Sequence, residues 1–373
     1  MEAPATSNAI AAPRIPDTAL GKLQLEAGAS MGAWFGCALP SDFGDPAAEY
    51  RYANQNVALL DENYRAYLSF TGPDRVRYLN AILTNNIKDL AAGQGIISLL
   101  LNPQGHILAE LETHAFADHH LCVSYAMIRE QLISWMNKYI IMDDLTLTDE
   151  TDLYGTLALE GPQAAEVARE VSGVDVTSQG ELFSVDGRVG AIPCRAVKRS
   201  PGGVPGAEFV VARDQLAPLW QILLEAARGH GGGPAGYTAL SAQRLAQGAP
   251  WFGYDFGEKQ IPHEAGLEDS HISYTKGCYT GQEIVERVRS RGHVNRRRVS
   301  LLFAGDAIPE AGAALTAADG KEAGYVTRAA RIWDPPRIVG MGYVGVVYAR
   351  KEAESPGTTL QWSGRAATVV HIP

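Results

Sequence analysis

The sequence contains few cysteines, and they lie far apart in the chain. The 373 residues include four, Cys37, Cys122, Cys194 and Cys278, and none belongs to a C-x-x-C pair. A disulfide framework in a chain of this length would need more of them. Cysteine metal sites usually draw their ligands from close pairs, so no metal site is expected. The pattern indicates free thiols in a reducing compartment.

Long apolar runs are also missing. The sequence has no stretch of about 18 or more apolar residues, so it predicts no membrane-spanning helix. Residues 1–16 are rich in Ala and Pro and lack the basic start and apolar block of a signal peptide. We therefore expect a cytoplasmic protein without membrane contact and a disordered tail over residues 1–20.

The chain carries no surplus of positive charge. Its formal net charge is −10, which argues against a protein that coats nucleic acid with its whole surface. The composition is 46% hydrophobic and 20% charged, as in ordinary globular proteins. The length predicts two or three domains.

Strand and helix patterns alternate over most of the chain. Gly95 to Leu101 and His106 to Thr113 predict a hairpin, because Asn102-Pro103-Gln104-Gly105 fits a type I turn between them. Apolar residues at helical spacing predict an amphipathic helix further on: Leu132, Trp135, Met136, Tyr139 and Ile140. The mixture indicates an α+β fold.

The pattern changes from Arg298 onward, where helical periodicity disappears. Four segments predict strands: Val299–Phe303, Gly324–Ile332, Ile338–Tyr348 and Ala366–Ile372. The dipeptide Asp319-Gly320 is typical of a hairpin turn. We therefore predict a separate C-terminal β-barrel or sandwich.

The segment from Tyr237 to Arg298 holds the most informative residues. Cys278 lies just before a predicted helix, whose dipole, together with the ammonium of Lys276, favours a thiolate. This indicates a nucleophilic or redox-sensitive thiol. A buried structural cysteine and a solvated loop lysine fit the same residues.

Two further features of this segment have more than one interpretation. The basic stretch from Arg287 to Arg298, with His293, fits an anion site, an RNA contact, or an exposed surface paired with acidic neighbours. An aromatic set could stack a planar ring such as a pterin or form a core between domains. Its members are Trp251, Phe252, Tyr254 and Phe256.

The octapeptide Lys276-Gly277-Cys278-Tyr279-Thr280-Gly281-Gln282-Glu283 resembles the K-G-C-Y-x-G-Q-E signature of the YgfZ-type folate-binding proteins. These belong to the superfamily of the glycine-cleavage T-protein, the aminomethyltransferase. Residues 253–256 and 262–267 are similar to the G-x-D-F and P-x-E-A-G-L blocks of that branch. Residues 71–74 and 101–105 are similar to N-terminal blocks of the superfamily, so the resemblance covers about residues 50 to 370.

The resemblance implies an aminomethyltransferase-like folate-binding fold, with three domains in a ring around a central channel and a C-terminal β-barrel. It implies a T-protein-like region of two interleaved α+β subdomains over residues 21–255, a connector with the signature over 256–297, and the barrel over 298–373. The implied cofactor is tetrahydrofolate or another reduced folate. The implied clients are iron–sulfur proteins, including tRNA-modifying enzymes.

The resemblance also implies roles for individual residues. Cys278 and Lys276 are expected to carry the chemistry. The residues expected to bind the cofactor are Tyr279, Gly281, Gln282, Glu283, Trp251, Tyr254, Asp255, Glu208 and Glu110.

Two departures from the aminomethyltransferase pattern bear on activity. Ala109 and Glu110 match the Asp-Asp pair of that family, whose first carboxylate assists proton movement as the methylene passes from amine to folate. Glu110 is expected to face the opposite side of the strand. Val204 matches the glutamate that holds the pterin, while Glu208 is kept. Glycine-cleavage activity is therefore not expected.

Three hypotheses follow from these residues. The leading one is a tetrahydrofolate-binding accessory protein that supports assembly or repair of iron–sulfur enzymes. The alternative is a folate-dependent one-carbon (aminomethyl) transferase or demethylase, with Glu110 or Asp255 supplying the carboxylate. The third is an RNA-contacting protein that uses the arginine stretch.

Overall fold

The computed structural model describes residues 18–176, 179–292, 294–345 and 355–370. The helices in these ranges are α1 Ala19–Glu26, α2 Pro46–Gln55, α3 Arg75–Ile82, α4 Arg129–Asn137, α5 Ala164–Ser172, α6 Leu216–Gly229, α7 Tyr237–Ala246, α8 Pro262–Ala265, α9 Glu268–His271 and α10 Gln282–Arg291. Short 3-10 turns cover Ala126–Ile128, Pro201–Gly203 and Arg213–Gln215.

The strands form two open sheets, a two-stranded ribbon and a barrel. The first eleven strands are β1 Ser30–Trp34, β2 Cys37–Asp42, β3 Ala58–Asp61, β4 Arg65–Thr71, β5 Gly95–Leu101, β6 Ile107–Ala115, β7 His120–Tyr125, β8 Thr146–Asp149, β9 Tyr154–Glu160, β10 Ser184–Val189 and β11 Ile192–Lys198. The others are β12 Gly206–Ala212, β13 Gly233–Pro234, β14 Arg296–Phe303, β15 Ala314–Thr316, β16 Glu322–Trp333, β17 Pro336–Gly345, β18 Thr359–Trp362 and β19 Arg365–Val370.

The first sheet has six strands in the order β10-β11-β12-β9-β3-β13. Helix α6 covers it with an apolar stripe at helical spacing, which includes the buried side chains of Leu219, Trp220 and Leu223. These pack with Leu157 and Phe209 of the sheet in one core. The core fixes the positions of the strand ends that reach the centre of the molecule.

The second sheet has five strands in the order β5-β6-β7-β4-β8 and packs against α3 and α4. The predicted hairpin joins β5 to β6, and its turn glycine, Gly105, has a φ of 77°. The side chain of Asn102 accepts hydrogen bonds from the backbone N–H groups of Gln104 and His106, at 3.0 and 2.9 Å. The hairpin prediction is therefore confirmed. It could be made from sequence because the contacts that form the turn are local.

The C-terminal strands close into a six-stranded barrel in the order β14-β17-β16-β15-β18-β19. A buried ion pair joins the barrel to the rest of the chain, with Arg328 Nη2 of β16 lying 2.5 Å from Asp255 Oδ2. The same guanidinium donates to the hydroxyl of Ser241 on α7 at 2.9 Å. The predicted α+β fold with a C-terminal barrel is therefore confirmed.

Several elements differ from the sequence prediction. Short strands β15 and β18 were not predicted, because three or four residues give little periodicity. The short parallel strand β13, at the end of the glycine-rich run from Gly231 to Pro234, was not predicted either. Helix α1 begins at Ala19, inside the predicted tail, while residues 1–17 lie outside the described residues. The predicted strand ends at 346–348 and 371–372 also lie outside them.

Within the described ranges, no helix has the length and apolar character that crossing a membrane requires.

Candidate functional site

A cavity of about 540 Å³ lies where the two sheets, α7 and the barrel meet, and we call it the central cavity. Its size falls in the usual range for small-molecule sites. Its apolar lining includes Tyr64, Ile97, Tyr125, Leu240, Trp251 and Leu267. Its ionisable lining consists of Glu62, Arg65, Glu110, Arg199, Arg244, His271 and Arg298.

Glu110 of β6 projects into this cavity. Its Oε2 accepts a hydrogen bond from the phenol of Tyr125 at 2.9 Å, and its Oε1 lies 3.0 Å from Nε2 of His271. Burial, followed by the nearby Glu110 charge, raises the pKa of Tyr125 well above its ordinary value, so the phenol stays protonated and donates. Two groups therefore hold this carboxylate in place.

The orientation of β6 corrects one expectation. Ala109 is fully buried in the core beneath the second sheet, and Glu110 lines the central cavity. The sequence reasoning placed Ala109 at the reacting position and turned Glu110 away from it, which is the reverse. Successive side chains do alternate, but alternation alone does not tell which of the two faces meets the cavity. The cavity therefore has a carboxylate on this strand.

A buried charge cluster forms one end of the central cavity. Arg65 Nη2 lies 2.6 Å from Glu208, its Nη1 lies 3.0 Å from Glu112, and its Nε donates to Glu62 at 2.8 Å. Arg199 Nε donates to Glu112 at 2.8 Å. Glu62, Arg65 and Arg199 line the cavity, while Glu208, a predicted cofactor residue, lies behind Arg65.

The pKa values of two carboxylates in this cluster shift in opposite directions. Burial alone would raise the pKa of Glu112, but Arg199 and Arg65 lower it to about 2. Burial raises the pKa of Glu208 well above its usual range, against Arg65, and the Glu62 charge adds to the rise. The cluster is therefore a rigid, highly polar wall.

Two more arginines line the opposite wall. Arg244 Nη2 donates to both carboxylate oxygens of Glu160, at 2.5 and 2.7 Å, and this pair is deeply buried. Arg298 donates to the backbone oxygens of Ala265, at 2.8 Å, and Gly248, at 3.3 Å. It also donates to the side-chain sulfur of Met341. Arg298 forms no ion pair with any residue that the structure describes. It is the cation best placed to receive an anionic group.

The predicted aromatic set is divided between the cavity and the core. Trp251 lines the central cavity, with the guanidinium of Arg328 4.1 Å from its ring centroid. Tyr254 packs edge-on against Phe35 at 5.0 Å between ring centroids, and its hydroxyl accepts from the Phe35 N–H. Asp255 is buried against Arg328 and accepts from the Trp251 N–H. Tyr254 and Asp255 thus support the cavity wall from behind.

Lys276 ties the signature octapeptide to the second sheet. Its ammonium donates to the backbone oxygens of Asn80, Leu83 and Asn85 at 2.6, 2.5 and 2.9 Å. These carbonyl groups lie at and beyond the C-terminus of α3, where a cation is favourable. Burial lowers the pKa of Lys276 to about 8. The contacts give this lysine a structural role.

The rest of the octapeptide packs against the β5–β6 hairpin. Tyr279 is buried in the core with Leu101 and Ile107, whereas Cys278 is exposed. Gly281 has a φ of 83°, and a Cβ there would lie 2.7 Å from the Asn102 oxygen. Only glycine allows this approach.

The predicted residues from the octapeptide do not line the central cavity. Gln282 begins α10, and Glu283 is an exposed residue paired with Arg287 at 2.7 Å. The lining of the central cavity contains neither of these two residues. It also lacks Lys276, Cys278, Tyr279 and Gly281. Their assignment to cofactor or catalysis stays a prediction.

The arginine stretch is largely engaged within the protein. Arg296 pairs with Glu264 at 3.0 Å, and Arg289 lies 3.6 Å from Glu286 and 4.1 Å from the ring centroid of Tyr274. His293 lies outside the described residues. The RNA contact and the iron–sulfur clients stay untested as partners.

Sequence reasoning did not find most of the charged residues of the cavity. The missed residues are Glu62, Arg65, Tyr125, Arg199, Arg244 and His271, whereas Arg298 belongs to the basic stretch in which the sequence indicated an anion site. A usable signal existed at Arg65, because it is the one charged residue of a strand that is otherwise largely apolar. His271 gave no signal, since its contact with Glu110 spans 161 positions.

Known proteins resemble the chain over most of its length. An aminomethyltransferase of Streptomyces avermitilis is 25% identical over 359 residues, covering 95% of this chain and 96% of that protein. An aminomethyltransferase of Lysinibacillus sphaericus is 27% identical over 323 residues, covering 86% of each. The solved glycine cleavage system aminomethyltransferase T of Bartonella henselae superposes with a TM-score of 0.84 at 23% identity, covering 95% of this chain and 96% of that one.

These findings overturn two expectations. The relatives are named aminomethyltransferases, and none of these names refers to iron–sulfur assembly, so the hypothesis of an iron–sulfur accessory protein is wrong. The expectation that glycine-cleavage activity is absent is wrong for the same reason, and the names agree better with the alternative hypothesis of an aminomethyl transferase. It rested on Ala109, which lies in the core and not in the cavity lining, and on Val204 in place of the pterin glutamate.

The family itself follows from a match over residues 20–271 to the model of the GCVT N-terminal domain. The expected cofactor is confirmed at this level, because aminomethyltransferases of this family use tetrahydrofolate. The match covers more than half of the chain, and the chain therefore belongs to the GCVT N-terminal domain family.

Proposed function

We propose that the chain is a tetrahydrofolate-dependent aminomethyltransferase whose chemistry takes place in the central cavity. The observation that carries this proposal is the carboxylate of Glu110, which lies in the cavity between Tyr125 and His271. The relatives and the family match support the same class of reaction.

The residues present fit a reduced folate. A folate combines a flat pterin, which suits aromatic walls such as Tyr64, Tyr125 and Trp251, with a glutamate tail that suits Arg298. Val204 removes the expected pterin glutamate, but Glu62 supplies another carboxylate at the cavity wall to accept pterin N–H groups. When bound, the reduced folate supplies the nitrogens that receive the one-carbon unit.

Hydrogen bonds join Glu110 to its neighbours in the cavity wall. Tyr125 stays protonated and holds one carboxylate oxygen, which leaves the other oxygen to exchange a proton with the substrate amine. His271 contacts this second oxygen, and its Nδ1 lies 2.7 Å from the hydroxyl of Ser270. Glu110, His271 and Ser270 therefore form a hydrogen-bonded chain along the cavity wall.

The test is a turnover assay with matched variants. The purified chain receives tetrahydrofolate and an aminomethylated carrier, and ammonia release and methylene-tetrahydrofolate are measured. We expect Glu110→Gln to lower the rate by about 10²- to 10⁴-fold, the usual contribution of a general acid or base, while tetrahydrofolate still binds by calorimetry. Glu283→Gln is the control, because Glu283 is exposed and outside the cavity.

Two results would overturn the proposal. One is a chain that binds tetrahydrofolate but releases no ammonia from the aminomethylated carrier. The other is a Glu110→Gln variant that turns over at the wild-type rate.

The octapeptide supports a finer placement, in the YgfZ-type branch of the family. This placement rests on the sequence of residues 276–283. In the folded chain the octapeptide joins α10, α3 and the β5–β6 hairpin, so we assign it the role of holding the wall that carries Glu110. Slower turnover in Lys276→Met with an unchanged requirement for Glu110 would agree with that role.

A further inference from the structure

A second enclosed space lies on the far side of the first sheet, and we call it the α1 cavity. It measures about 440 Å³ and lies between α1, β2, the end of β3 and the start of α6. It shares no lining residue with the central cavity. Its walls are mostly apolar, with Leu20, Leu39 and Leu216 among them. Nothing in the proposed transferase chemistry uses this space.

A buried carboxylate forms the floor of the α1 cavity. Asp61 is 5% exposed, and its Oδ2 accepts from the side-chain amide of Gln24 at 2.7 Å. Its Oδ1 accepts from the backbone and side-chain N–H groups of Asn63, at 2.9 and 2.6 Å. All of these donors are neutral. No described Lys or Arg forms an ion pair with Asp61, so no cation within the described ranges balances its negative charge.

The energetics of Asp61 favour a cationic ligand. Burial raises the pKa of Asp61, against the hydrogen bonds from Gln24 and Asn63, and the Glu62 charge adds to the rise. A buried carboxylate without a cation is costly, and an ammonium group at hydrogen-bond distance would offset that cost. The ammonium group of a ligand would therefore balance the charge of Asp61.

The lining of the same cavity also includes a cation, Arg213, and next to it in sequence the carboxylate of Asp214. Arg213 is exposed, donates to the backbone oxygen of Thr151 at 2.8 Å, and forms no ion pair with any described residue. Cys37 lies on the cavity wall, and both charges affect the pKa of its thiol. Burial raises this pKa, the Asp61 charge raises it further, and the Arg213 charge lowers it. Asp61 and Arg213 therefore both lie near one thiol.

We propose that the α1 cavity binds a small zwitterion, an amino acid or short ω-amino acid, with its ammonium at Asp61 and its carboxylate at Arg213. The apolar walls at Leu20, Leu39 and Leu216 accommodate the methylene groups between the two charges. An amine without a carboxylate lacks the contact at Arg213, and a carboxylic acid without an amine lacks the contact at Asp61. The site is thus selective for molecules that carry both groups.

The experiment is calorimetric titration of the full chain with glycine, β-alanine, γ-aminobutyrate and 5-aminovalerate, beside butylamine and butyrate. We expect at least one zwitterion to bind about tenfold or more tightly than butylamine or butyrate. Butylamine lacks the hydrogen bond to Arg213, and butyrate lacks the hydrogen bond to Asp61. Asp61→Asn and Arg213→Met should each weaken binding by a similar factor. Arg228→Met is the matched control, because Arg228 is exposed at the other end of α6.

Two further arms keep the test decisive. Ala217→Trp fills the cavity from the surface of α6 and should abolish binding even if Asp61→Asn does not fold. Saturating tetrahydrofolate should leave the zwitterion stoichiometry unchanged, because the two cavities are separate. Absence of binding by all four zwitterions, binding that survives Ala217→Trp, or displacement by tetrahydrofolate would overturn the proposal. Turnover by the wild-type chain does not depend on this outcome.

Discussion

Replacement of Arg65 by methionine should strongly destabilise the fold, because this arginine balances three buried carboxylates. Its guanidinium contacts Glu62, Glu112 and Glu208, and its side chain is only 7% exposed. Methionine has a similar length and an apolar end, so the substitution mainly removes the charge and the hydrogen bonds.

The expected loss follows from the contacts that remain. Removing one partner of a buried ion pair costs about 3–5 kcal/mol, since the other partner is left uncompensated. Arg199 still lies 2.8 Å from Glu112 and 3.8 Å from Glu208 and would compensate in part. We therefore expect a loss near the lower limit, about 3 kcal/mol.

The loss should depend on pH in one direction. In wild type the pKa of Glu112 is lowered to about 2, so its stabilising contribution is present above the ordinary glutamate pKa and disappears as the pH falls toward 2. In Arg65→Met, burial of Glu112 is opposed mainly by Arg199, so its pKa should rise and its penalty as a charged group should be relieved as the pH falls and it is protonated. The difference between the two proteins should therefore be largest near pH 8 and should shrink toward pH 4.

Urea unfolding at pH 8 and at pH 5, followed by tryptophan fluorescence, measures this difference. Arg77→Met is the control, because Arg77 is 66% exposed and its ion pairs should be worth less than about 1 kcal/mol. The reasoning would be refuted by an Arg65→Met variant within about 1 kcal/mol of wild type at pH 8, or by a difference that grows on acidification.

Two further predictions concern the octapeptide. Lys276→Met leaves three backbone oxygens without the ammonium donor and should lower the free energy of unfolding by about 2–3 kcal/mol. Urea unfolding measures this loss, and an unchanged unfolding midpoint would contradict the structural role of Lys276. Cys278 is the exposed thiol, whereas burial raises the pKa of Cys122 to about 12 and that of Cys194 to about 11, so a thiol reagent should modify Cys278 fastest. Cys278→Ser should remove the fast phase and leave turnover unchanged, and a fall in turnover would show that the thiol takes part.

The features that the sequence predicted well are those with local causes. The β5–β6 hairpin follows from Asn102 and Gly105, which act within five residues of each other. The C-terminal barrel follows from repeated strand patterns separated by turns.

The features that the sequence missed arise from distant contacts. Strand β6 is apolar on one face and mixed on the other, so its alternation did not reveal that Glu110 meets His271. Lys276 finds its acceptors about 190 positions away, at Asn80, Leu83 and Asn85. Such contacts depend on how whole sheets are placed, which no local pattern encodes.

The residues that line the central cavity lie far apart in the sequence, and this has a consequence for biosynthesis. Its walls run from Glu62, after β3, to Arg298, in β14. A nascent chain therefore lacks a complete site until the ribosome has added the first barrel strand. Binding of a ligand to the finished cavity stabilises the native state by mass action, a gain that truncated chains would not share. A cell rich in the ligand would thereby retain complete chains and leave incomplete ones to proteolysis.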